Sequence, residues 1–391
     1  EFVRTEVQFI PAKLKVIDHY RETYECRSCR KNGTPYMEKA PVPYPPVLHS
    51  LASASTITWL IHQKFELSIP LYRQEKEWEA LGLRLSRATM SNWLLVVYRD
   101  WLVHIVHRLK LELLKQRYLH IDETHVQVLK EPGRKNTSDS YMWVYCSIRD
   151  AVNPIRYFEY QPGRSGKYPE AFLREYEGYI HTDAYSGYNA VSGVKRCLCY
   201  THLRRAFVDA LPKDIHNSEA SKPAEAILRL NQLFNIESEL EALPPDQKKK
   251  ERLIREKPLL EAFWSWAEKS AIGELPKSKL SKAFHYALNN REGFWNYLED
   301  GNCSISNSLA ENCIRPFVIG RKNWLFSGSP KGAEASAGIY TLVETAKANG
   351  LAPMKYIKYI LSDMPGSAFL EHPEYLDDYL PWNPLVKEFC R

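Results

Sequence analysis

Two aspartates occur in contexts that suit metal-dependent chemistry. Asp122 lies within an apolar, strand-like segment, although aspartate is disfavoured inside strands. A charge in such a place needs a compensating partner, and a metal ion is a strong one. Asp183 ends a second apolar stretch just before a turn, where a carboxylate can face a cleft at the edge of a sheet. Taken singly, each aspartate is explained more simply as a turn or cap residue.

Glu311 is the third acidic candidate. On a helix, Asn307, Glu311 and Arg315 follow one another at intervals of four and share one face. The simple interpretation is an exposed Glu–Arg pair that contributes little to stability. A functional role is favoured by the cations and the indole that follow, because clustered positive charge can hold a phosphate backbone beside a metal ion. We therefore predict DNA contacts at Arg315, Arg321, Lys322 and Trp324.

Three separated carboxylates suit phosphodiester chemistry. Two Mg²⁺ or Mn²⁺ ions about 4 Å apart can clamp the attacking and leaving oxygens, and both ions need hard anionic ligands. One aspartate would bridge the two ions, while the other aspartate and the glutamate would each hold one. Water would attack first and release a 3′-hydroxyl, which would then attack a second DNA strand at the same site. The predicted ligands of both ions are Asp122, Asp183 and Glu311.

Cysteines form two short motifs with different predicted roles. Cys26 and Cys29 make one half of a zinc-ribbon site, but no second CxxC pair occurs in the 391 residues, so tight zinc binding is not expected. Cys197-x-Cys199-x-x-His202 lacks a fourth ligand at a standard spacing, which favours buried strand cysteines over a zinc site. A predicted helix start suits phosphate contact at His202, Arg204 and Arg205.

Composition sets broad limits on the class of protein. The 391 residues are enough for two or three domains, and the net charge of +6 permits a nucleic-acid partner without demonstrating one. No apolar run reaches the length of a membrane span, and no export signal is visible, which predicts a cytoplasmic, nucleoid-associated protein with reduced thiols. The first residue is Glu1 rather than methionine, so we expect a fragment or a trimmed chain.

Helices that could present DNA contacts are predicted over residues 47–116, after a proline-rich linker. They include a helix–turn–helix pattern, in which Gly82 has the place of a C-cap and Ser86 that of an N-cap. An ordinary helical hairpin explains the pattern equally well. If the second helix reads DNA, its contacts are expected near its start, at Arg84 and Arg87.

Strand-like segments dominate residues 117–200. Three strands in a row, a short helix over Pro169–Tyr176 and two further strands indicate an α/β fold, with helices packed on a mixed sheet. Residues 201–300 are predicted to be helical. The predicted strands are Tyr118–Leu129, Tyr141–Ile148, Ile155–Tyr160, Gly178–Asp183 and Lys195–Tyr200.

Motifs along the whole chain resemble the transposase of insertion sequence family sixty-six, a bacterial DDE transposase of the TnpC type. The order and variety of these motifs make a chance agreement very improbable. The motifs are Ile-Pro-Ala-Lys (10–13), Tyr-Glu-Cys-Arg-Ser-Cys (24–29), Pro-Leu-Tyr-Arg-Gln (70–74), His-Ile-Asp-Glu-Thr (120–124), Thr-Asp-Ala-Tyr-Ser-Gly-Tyr (182–188), Cys-Tyr-Thr-His-Leu-Arg-Arg (199–205) and Gly-Arg-Lys-Asn-Trp-Leu-Phe (320–326).

The resemblance implies an RNase H-like catalytic domain whose triad is Asp122, Asp183 and Glu311. It also implies a helical insertion between the second aspartate and the glutamate, which fits their separation of 128 positions. The upstream half of the zinc ribbon is absent from this sequence. The implied organisation is a partial zinc-ribbon segment (1–40), a helical DNA-binding region (47–116), a catalytic domain (117–210 and 300–362), the insertion (211–299) and a C-terminal tail (363–391).

Three functions are compatible with these features. The first is an active transposase, for which we expect DNA ends and target DNA as partners, a homodimer or larger assembly, accessory proteins of the same element and no membrane. The second is a DNA-binding remnant without catalysis, which the expected loss of N-terminal residues favours and the intact triad disfavours. The residues before Glu311 read Ser-Asn-Ser where the family often has Asp-Asn-Asn, a departure that concerns the positioning of this helix and retains the glutamate. The third is a two-carboxylate glycoside hydrolase, which the basic cluster 315–324 disfavours.

Overall fold

The computed structural model describes residues 2–8, 12–212 and 221–391. Ile10 and Pro11 of the first motif, and residues 213–220 of the predicted insertion, lie outside this part of the chain. At the N-terminus a small hairpin pairs β1 (Thr23–Glu25) with β2 (Met37–Lys39), and the short helix α1 (Arg27–Lys31) lies between them. Both strands of the hairpin are exposed.

A mixed sheet forms the centre of the described structure. Its strands lie in the order β5-β4-β3-β6-β7, and β8 pairs with the far end of β3. The first three strands in sequence are antiparallel, whereas β6 and β7 run parallel to β3. This confirms the predicted α/β class and is compatible with an RNase H-like fold. The strands are β3 (Tyr118–Val128), β4 (Asp139–Ser147), β5 (Arg156–Gln161), β6 (Gly178–Thr182), β7 (Val194–Leu198) and β8 (Phe326–Ser327).

Helices surround the sheet, and none among the described residues is long and apolar enough to span a membrane. The helix predicted over residues 169–176 is shorter in the structure, where it covers Lys167–Phe172. The α-helices after α1 are α2 (Ala54–Ile61), α3 (Leu71–Ala80), α4 (Arg87–Val97), α5 (Val103–Leu114), α6 (Lys167–Phe172), α7 (Tyr200–Val208), α8 (Lys222–Glu239), α9 (Pro245–Ala271), α10 (Lys279–Asn289), α11 (Arg291–Trp295), α12 (Ser308–Trp324), α13 (Pro330–Ala348), α14 (Pro353–Asp363) and α15 (Pro384–Cys390).

The described residues form two hydrophobic cores. The larger core combines residues from both faces of the sheet with α2, α4, α5, α13 and α14, and it also includes Phe369, Tyr379 and Val386 from the C-terminal tail. The smaller core joins α7 to α8, α9 and α10, around Phe263 and Trp264. The C-terminal tail therefore packs on the same core as the sheet, whereas the helices between Asp183 and Glu311 have a core of their own.

The edge strand β5 is covered by α13. The Thr345 hydroxyl accepts a hydrogen bond from the Arg156 N–H (3.1 Å), and the Thr341 hydroxyl accepts one from the Phe158 N–H (2.8 Å). An open strand edge would expose these donors to pairing with another chain. The helix α13 therefore closes this edge of the sheet.

The predicted helix–turn–helix segment forms two helices joined by a turn. Gly82 has φ +88°, which suits a glycine cap after α3, and the Ser86 side chain accepts a hydrogen bond from the Thr89 N–H at the start of α4. The Arg87 N–H also donates to the Glu75 carboxylate (2.7 Å), which ties the second helix to the first. DNA binding by this segment stays a prediction.

Candidate active site

The pairing register of two parallel strands brings Asp122 and Asp183 together. On β3 and β6, Tyr118 pairs with Tyr179 and His120 pairs with His181, an offset of 61 positions that also separates the two aspartates. Side chains two residues apart on a strand share a face, and neighbouring strands lie about 4.8 Å apart. The aspartates therefore follow the two stacked histidine rings, whose centroids are 4.2 Å apart, on one face of the sheet.

Asp122 is largely buried in a group of negative charges. Its Oδ1 accepts a hydrogen bond from the Glu123 N–H (2.9 Å), which favours the charged form. Burial, and then the charges of Glu123, Asp183 and Glu311, raise the pKa of Asp122 to about 7. The charges of Asp183 and Glu311 both act on Asp122, so both acids lie within electrostatic range of it.

Asp183 lies at the start of the turn that follows β6. Its Oδ1 accepts a hydrogen bond from the Tyr185 N–H (3.0 Å), and its Oδ2 is 3.8 Å from a guanidinium nitrogen of Arg164. The Arg196 guanidinium holds the backbone on the other side by donating to the carbonyl oxygens of Asp183 and Tyr185, at 2.6 and 2.8 Å. These contacts fix the turn and leave the carboxylate partly exposed.

Glu311 lies in the first turn of α12, opposite the start of α7. Its Oε1 is 3.7 Å from His202 Nδ1, and its Oε2 is 4.0 Å from Arg205. A carboxylate in the first turn of a helix is favoured by the helix dipole. The side chains of Glu311 and His202 are 27% and 26% exposed, so both are partly accessible to solvent.

Asn307 caps α12 and attaches the helix to the sheet. Its side-chain amide donates to the carbonyl oxygen of Ile121 (2.8 Å), and its Oδ1 bonds to His120 Nδ1 (2.9 Å). Its backbone N–H donates to the Cys199 sulfur (3.1 Å). Asn307 therefore links the helix that carries Glu311 directly to the residue before Asp122. The helical spacing predicts Asn307 on the face of Glu311 but indicates no role for it.

A network of hydrogen bonds around Glu123 was not predicted from the sequence. The Arg164 Nε donates to Glu123 Oε1 (2.6 Å), and the Tyr188 hydroxyl donates to the other oxygen. The Arg164 guanidinium stacks on Tyr185, with a distance of 3.9 Å to the ring centroid. The network joins β3 to the turn that holds Asp183. Only the position of Glu123 inside the motif His-Ile-Asp-Glu-Thr could have indicated it, since the spacing of Arg164 carries no signal.

The residues predicted to contact DNA fall into two groups. Arg84, Arg87, Arg205, Arg315 and Lys322 are exposed. The other residues have partners within the chain. Arg204 donates to Asn231 (2.7 Å), Arg321 donates to Thr124 (3.0 Å) and to the His125 carbonyl, and the Trp324 ring lies under the Lys64 ammonium, 4.6 Å from its centroid. His202 faces Glu311, as described above.

The cysteine motifs occupy different environments. Cys26 is the N-cap residue of α1 and Cys29 lies in the first turn of that helix, and both are partly accessible. Cys197 and Cys199 are buried at the end of β7. Burial opposes ionisation of the Cys199 thiol, but its interactions with His202 and with the Asn307 N–H outweigh burial and lower its pKa. This position matches the buried strand cysteines that the spacing favoured.

The three acids provide the donor set that divalent hard cations require. They offer carboxylate oxygens only, and the Oε1 atom of Glu311 is buried without a hydrogen-bond partner among the described residues. Burial, and then the neighbouring carboxylates, raise the pKa of Asp122 and so disfavour its charged form. A divalent cation would relieve both features, so the residues fit Mg²⁺ or Mn²⁺.

Comparison with known proteins gives consistent matches. The family model described as transposase IS66 family matches residues 49–335, and the model of the zinc-finger binding domain of transposase IS66 matches residues 1–30. Two proteins of Sinorhizobium fredii are similar over nearly the whole chain: uncharacterized protein y4hP (26% identity, 98% of this chain, 70% of the relative) and uncharacterized protein y4jD (26% identity, 96% of this chain, 74% of the relative).

Proposed function

Because the chain belongs to the IS66 transposase family, we propose that it cleaves DNA strands at the ends of a bacterial insertion sequence and joins them to target DNA. The proposal extends the family assignment to a DDE mechanism. In it, Asp122, Asp183 and Glu311 hold two Mg²⁺ or Mn²⁺ ions. DNA ends and target DNA are the substrates, and because two ends must be paired, the active form is a homodimer or larger.

The observation that carries the proposal is the meeting of three acids from distant parts of the chain. Asp122 and Asp183 share a sheet face through the β3–β6 register, and Glu311 is brought to them by α12. Unrelated surface acids would repel one another, and a fold gains nothing from burying them together. A raised pKa at Asp122, caused by burial and by these neighbours, is typical of a functional site.

Each acid would have a distinct task. Two divalent cations would supply charge stabilisation to the attacking and leaving oxygens of the phosphodiester. Asp122 would help to hold both ions, because the charges of Asp183 and Glu311 both act on its carboxylate. Asp183 and Glu311 would each complete one ion's ligand set. Arg164 would keep Asp183 oriented through its contacts with both Glu123 and that carboxylate.

Exposed cations near Glu311 would hold the DNA backbone. Arg205 is 4.0 Å from Glu311, and Arg315 lies one helical turn beyond Glu311 on α12. Phosphates at these positions would bring a strand across the three acids. Arg84 and Arg87 on the α3–α4 hairpin would contact DNA further away. Cys26 and Cys29 would bind zinc only together with a second pair of ligands from elsewhere.

Strand cleavage with the purified protein tests the proposal. Incubation with Mg²⁺ and DNA that carries the ends of the element should produce nicks with free 3′-hydroxyls. The Asp122→Asn protein should bind the same DNA and leave it intact, because the neutral amide is a poor ligand for two cations. Asp150→Asn, an exposed turn residue, is the matched control and should cleave normally. Nicking by Asp122→Asn would refute the triad, whereas binding without nicking by the wild type would favour a silent remnant.

A further inference from the structure

Two groups of cysteine, histidine and acidic side chains have ligand atoms close enough to hold a metal ion, and the second group includes Glu311. The first consists of His181, Cys197 and Cys303, and the second consists of Cys199, His202 and Glu311. Within each group the potential ligand atoms all lie within 4.8 Å of one another. The two groups have similar composition, so their hydrogen bonds decide whether either could bind a cation.

The first group is satisfied by the protein itself. His181 Nδ1 is 3.2 Å from the Leu119 carbonyl oxygen, and the Ser304 N–H donates to His181 Nε2 (2.8 Å). Both ring nitrogens are thus engaged by backbone groups. A metal ion would have to break a buried hydrogen bond to reach this imidazole, which would leave a backbone group unpaired at a cost of about 1–3 kcal/mol.

The second group has open ligand atoms. His202 Nδ1 and Glu311 Oε1 are buried, they are 3.7 Å apart, and neither has a hydrogen-bond partner within the described part of the chain. Buried polar atoms are nearly always paired, so two facing exceptions call for an occupant. The Cys199 sulfur accepts the Asn307 N–H at 3.1 Å, an interaction that also supports a metal-bound thiolate.

Local structure explains why these three side chains converge. Cys199 is the N-cap of α7, and His202 follows three residues later, so both side chains lie on one face of the first turn. Glu311 approaches from the first turn of α12. Ligand atoms around a tetrahedral zinc ion with bonds of about 2.0–2.3 Å are separated by roughly 3.3–3.8 Å, which the His202–Glu311 distance meets.

We propose that Cys199, His202 and Glu311 form a binding site for a thiophilic divalent cation of the Zn²⁺ class. A thiolate, an imidazole and a carboxylate together favour zinc or cobalt over magnesium. Three protein ligands leave a fourth position open to water or to a DNA phosphate. If the proposed transposase function holds, zinc at this site withdraws Glu311 from the catalytic cations and inhibits strand cleavage.

Cobalt(II) binding tests the site without any need for catalysis. The starting protein carries Cys26→Ser and Cys29→Ser, which removes the partly exposed thiol pair. Titration with Co²⁺ should produce a thiolate-to-cobalt charge-transfer band together with visible bands of tetrahedral cobalt. Adding Cys199→Ser should abolish the charge-transfer band, and adding His202→Gln should weaken cobalt binding at least tenfold. Adding Cys303→Ser, in the satisfied group, should leave both the band and the affinity intact.

Several results would overturn the site. They are the absence of a charge-transfer band in the starting protein, a band that survives Cys199→Ser in a folded variant, or a band lost with Cys303→Ser. Circular dichroism of each variant identifies those that have not folded.

The regulatory consequence is tested separately, by the ratio of Mg²⁺-dependent nicking with and without micromolar Zn²⁺. Zinc should lower this ratio at least tenfold, and less so in Cys199→Ser; an unchanged ratio refutes inhibition. If no protein nicks DNA, the transposase proposal fails while the cobalt result still stands.

Discussion

Replacing Asp122 with asparagine should stabilise the metal-free protein at neutral and alkaline pH. Burial and neighbouring carboxylates raise the pKa of Asp122 from its ordinary value of 3.8 to about 7. The unfolded chain therefore ionises this residue at lower pH than the folded protein does. As pH rises from about 4 to about 7, Asp122 costs the folded state an increasing amount of free energy, and the cost is constant above that range.

The size of this effect follows from the pKa difference. Each pKa unit corresponds to about 1.4 kcal/mol, so the full cost approaches about 4 kcal/mol. Between pH 5 and pH 8 the stability advantage of Asp122→Asn should grow by about 3 kcal/mol. The amide oxygen of asparagine can still accept the Glu123 N–H, so the hydrogen bond of the carboxylate is retained.

Urea unfolding at a series of pH values, in the presence of EDTA, measures this difference. The free energy of unfolding of Asp122→Asn minus that of the wild type should rise with pH and then level off. Asp150→Asn, which changes an exposed aspartate, should show no such rise. Excess Mg²⁺ should stabilise the wild type alone and so reduce the difference in the free energy of unfolding between the two proteins. A difference that is independent of pH, or that falls as pH rises, would refute the electrostatic explanation of the site.

Two further predictions concern residues that hold the site and the DNA. Asn307→Ala should lower the free energy of unfolding by about 2–5 kcal/mol, because it leaves the Ile121 carbonyl and His120 Nδ1 unpaired. Urea unfolding measures this loss, and a loss of less than about 1 kcal/mol would contradict the prediction. Arg315→Ala should reduce the salt dependence of DNA binding by about one phosphate contact without changing stability, whereas Arg321→Ala should destabilise the fold by about 1 kcal/mol through its lost bonds to β3. DNA titrations at several salt concentrations measure the first effect, and urea unfolding measures the second. The reverse pattern would refute the division into exposed cations and cations with partners in the chain.

Prediction from sequence succeeded where the information is local. The five predicted strands agree with β3 to β7 to within two residues at each end, because alternation of apolar and β-branched side chains marks a strand without reference to the rest of the chain. The two-residue strand β8 was missed, since a segment as short as Phe326–Ser327 has no period to detect. Helix α6 was predicted too long, and it ends at Phe172, before the turn in which Glu175 adopts a φ of +64°.

Contacts of the candidate site needed the tertiary structure. The separation of 61 positions between Asp122 and Asp183 is present in the sequence, but only the pairing of β3 with β6 shows that it equals the strand register. Arg321 and Trp324 were grouped with the exposed cations because they are near Arg315 in sequence. Their partners, Thr124 and Lys64, lie far away along the chain, and no local pattern predicts such pairs.

The sequence by itself determined the residue types and the family. Three acids, their motifs and an α/β order of elements follow from local composition and spacing. The tertiary structure decided which faces meet, because that depends on how helices from distant positions pack on the sheet. Asn307 reaches Ile121 across 186 positions, and His202 meets Glu311 only because α7 and α12 begin side by side. The charge balance of the site, and with it the pKa of Asp122, results from this packing.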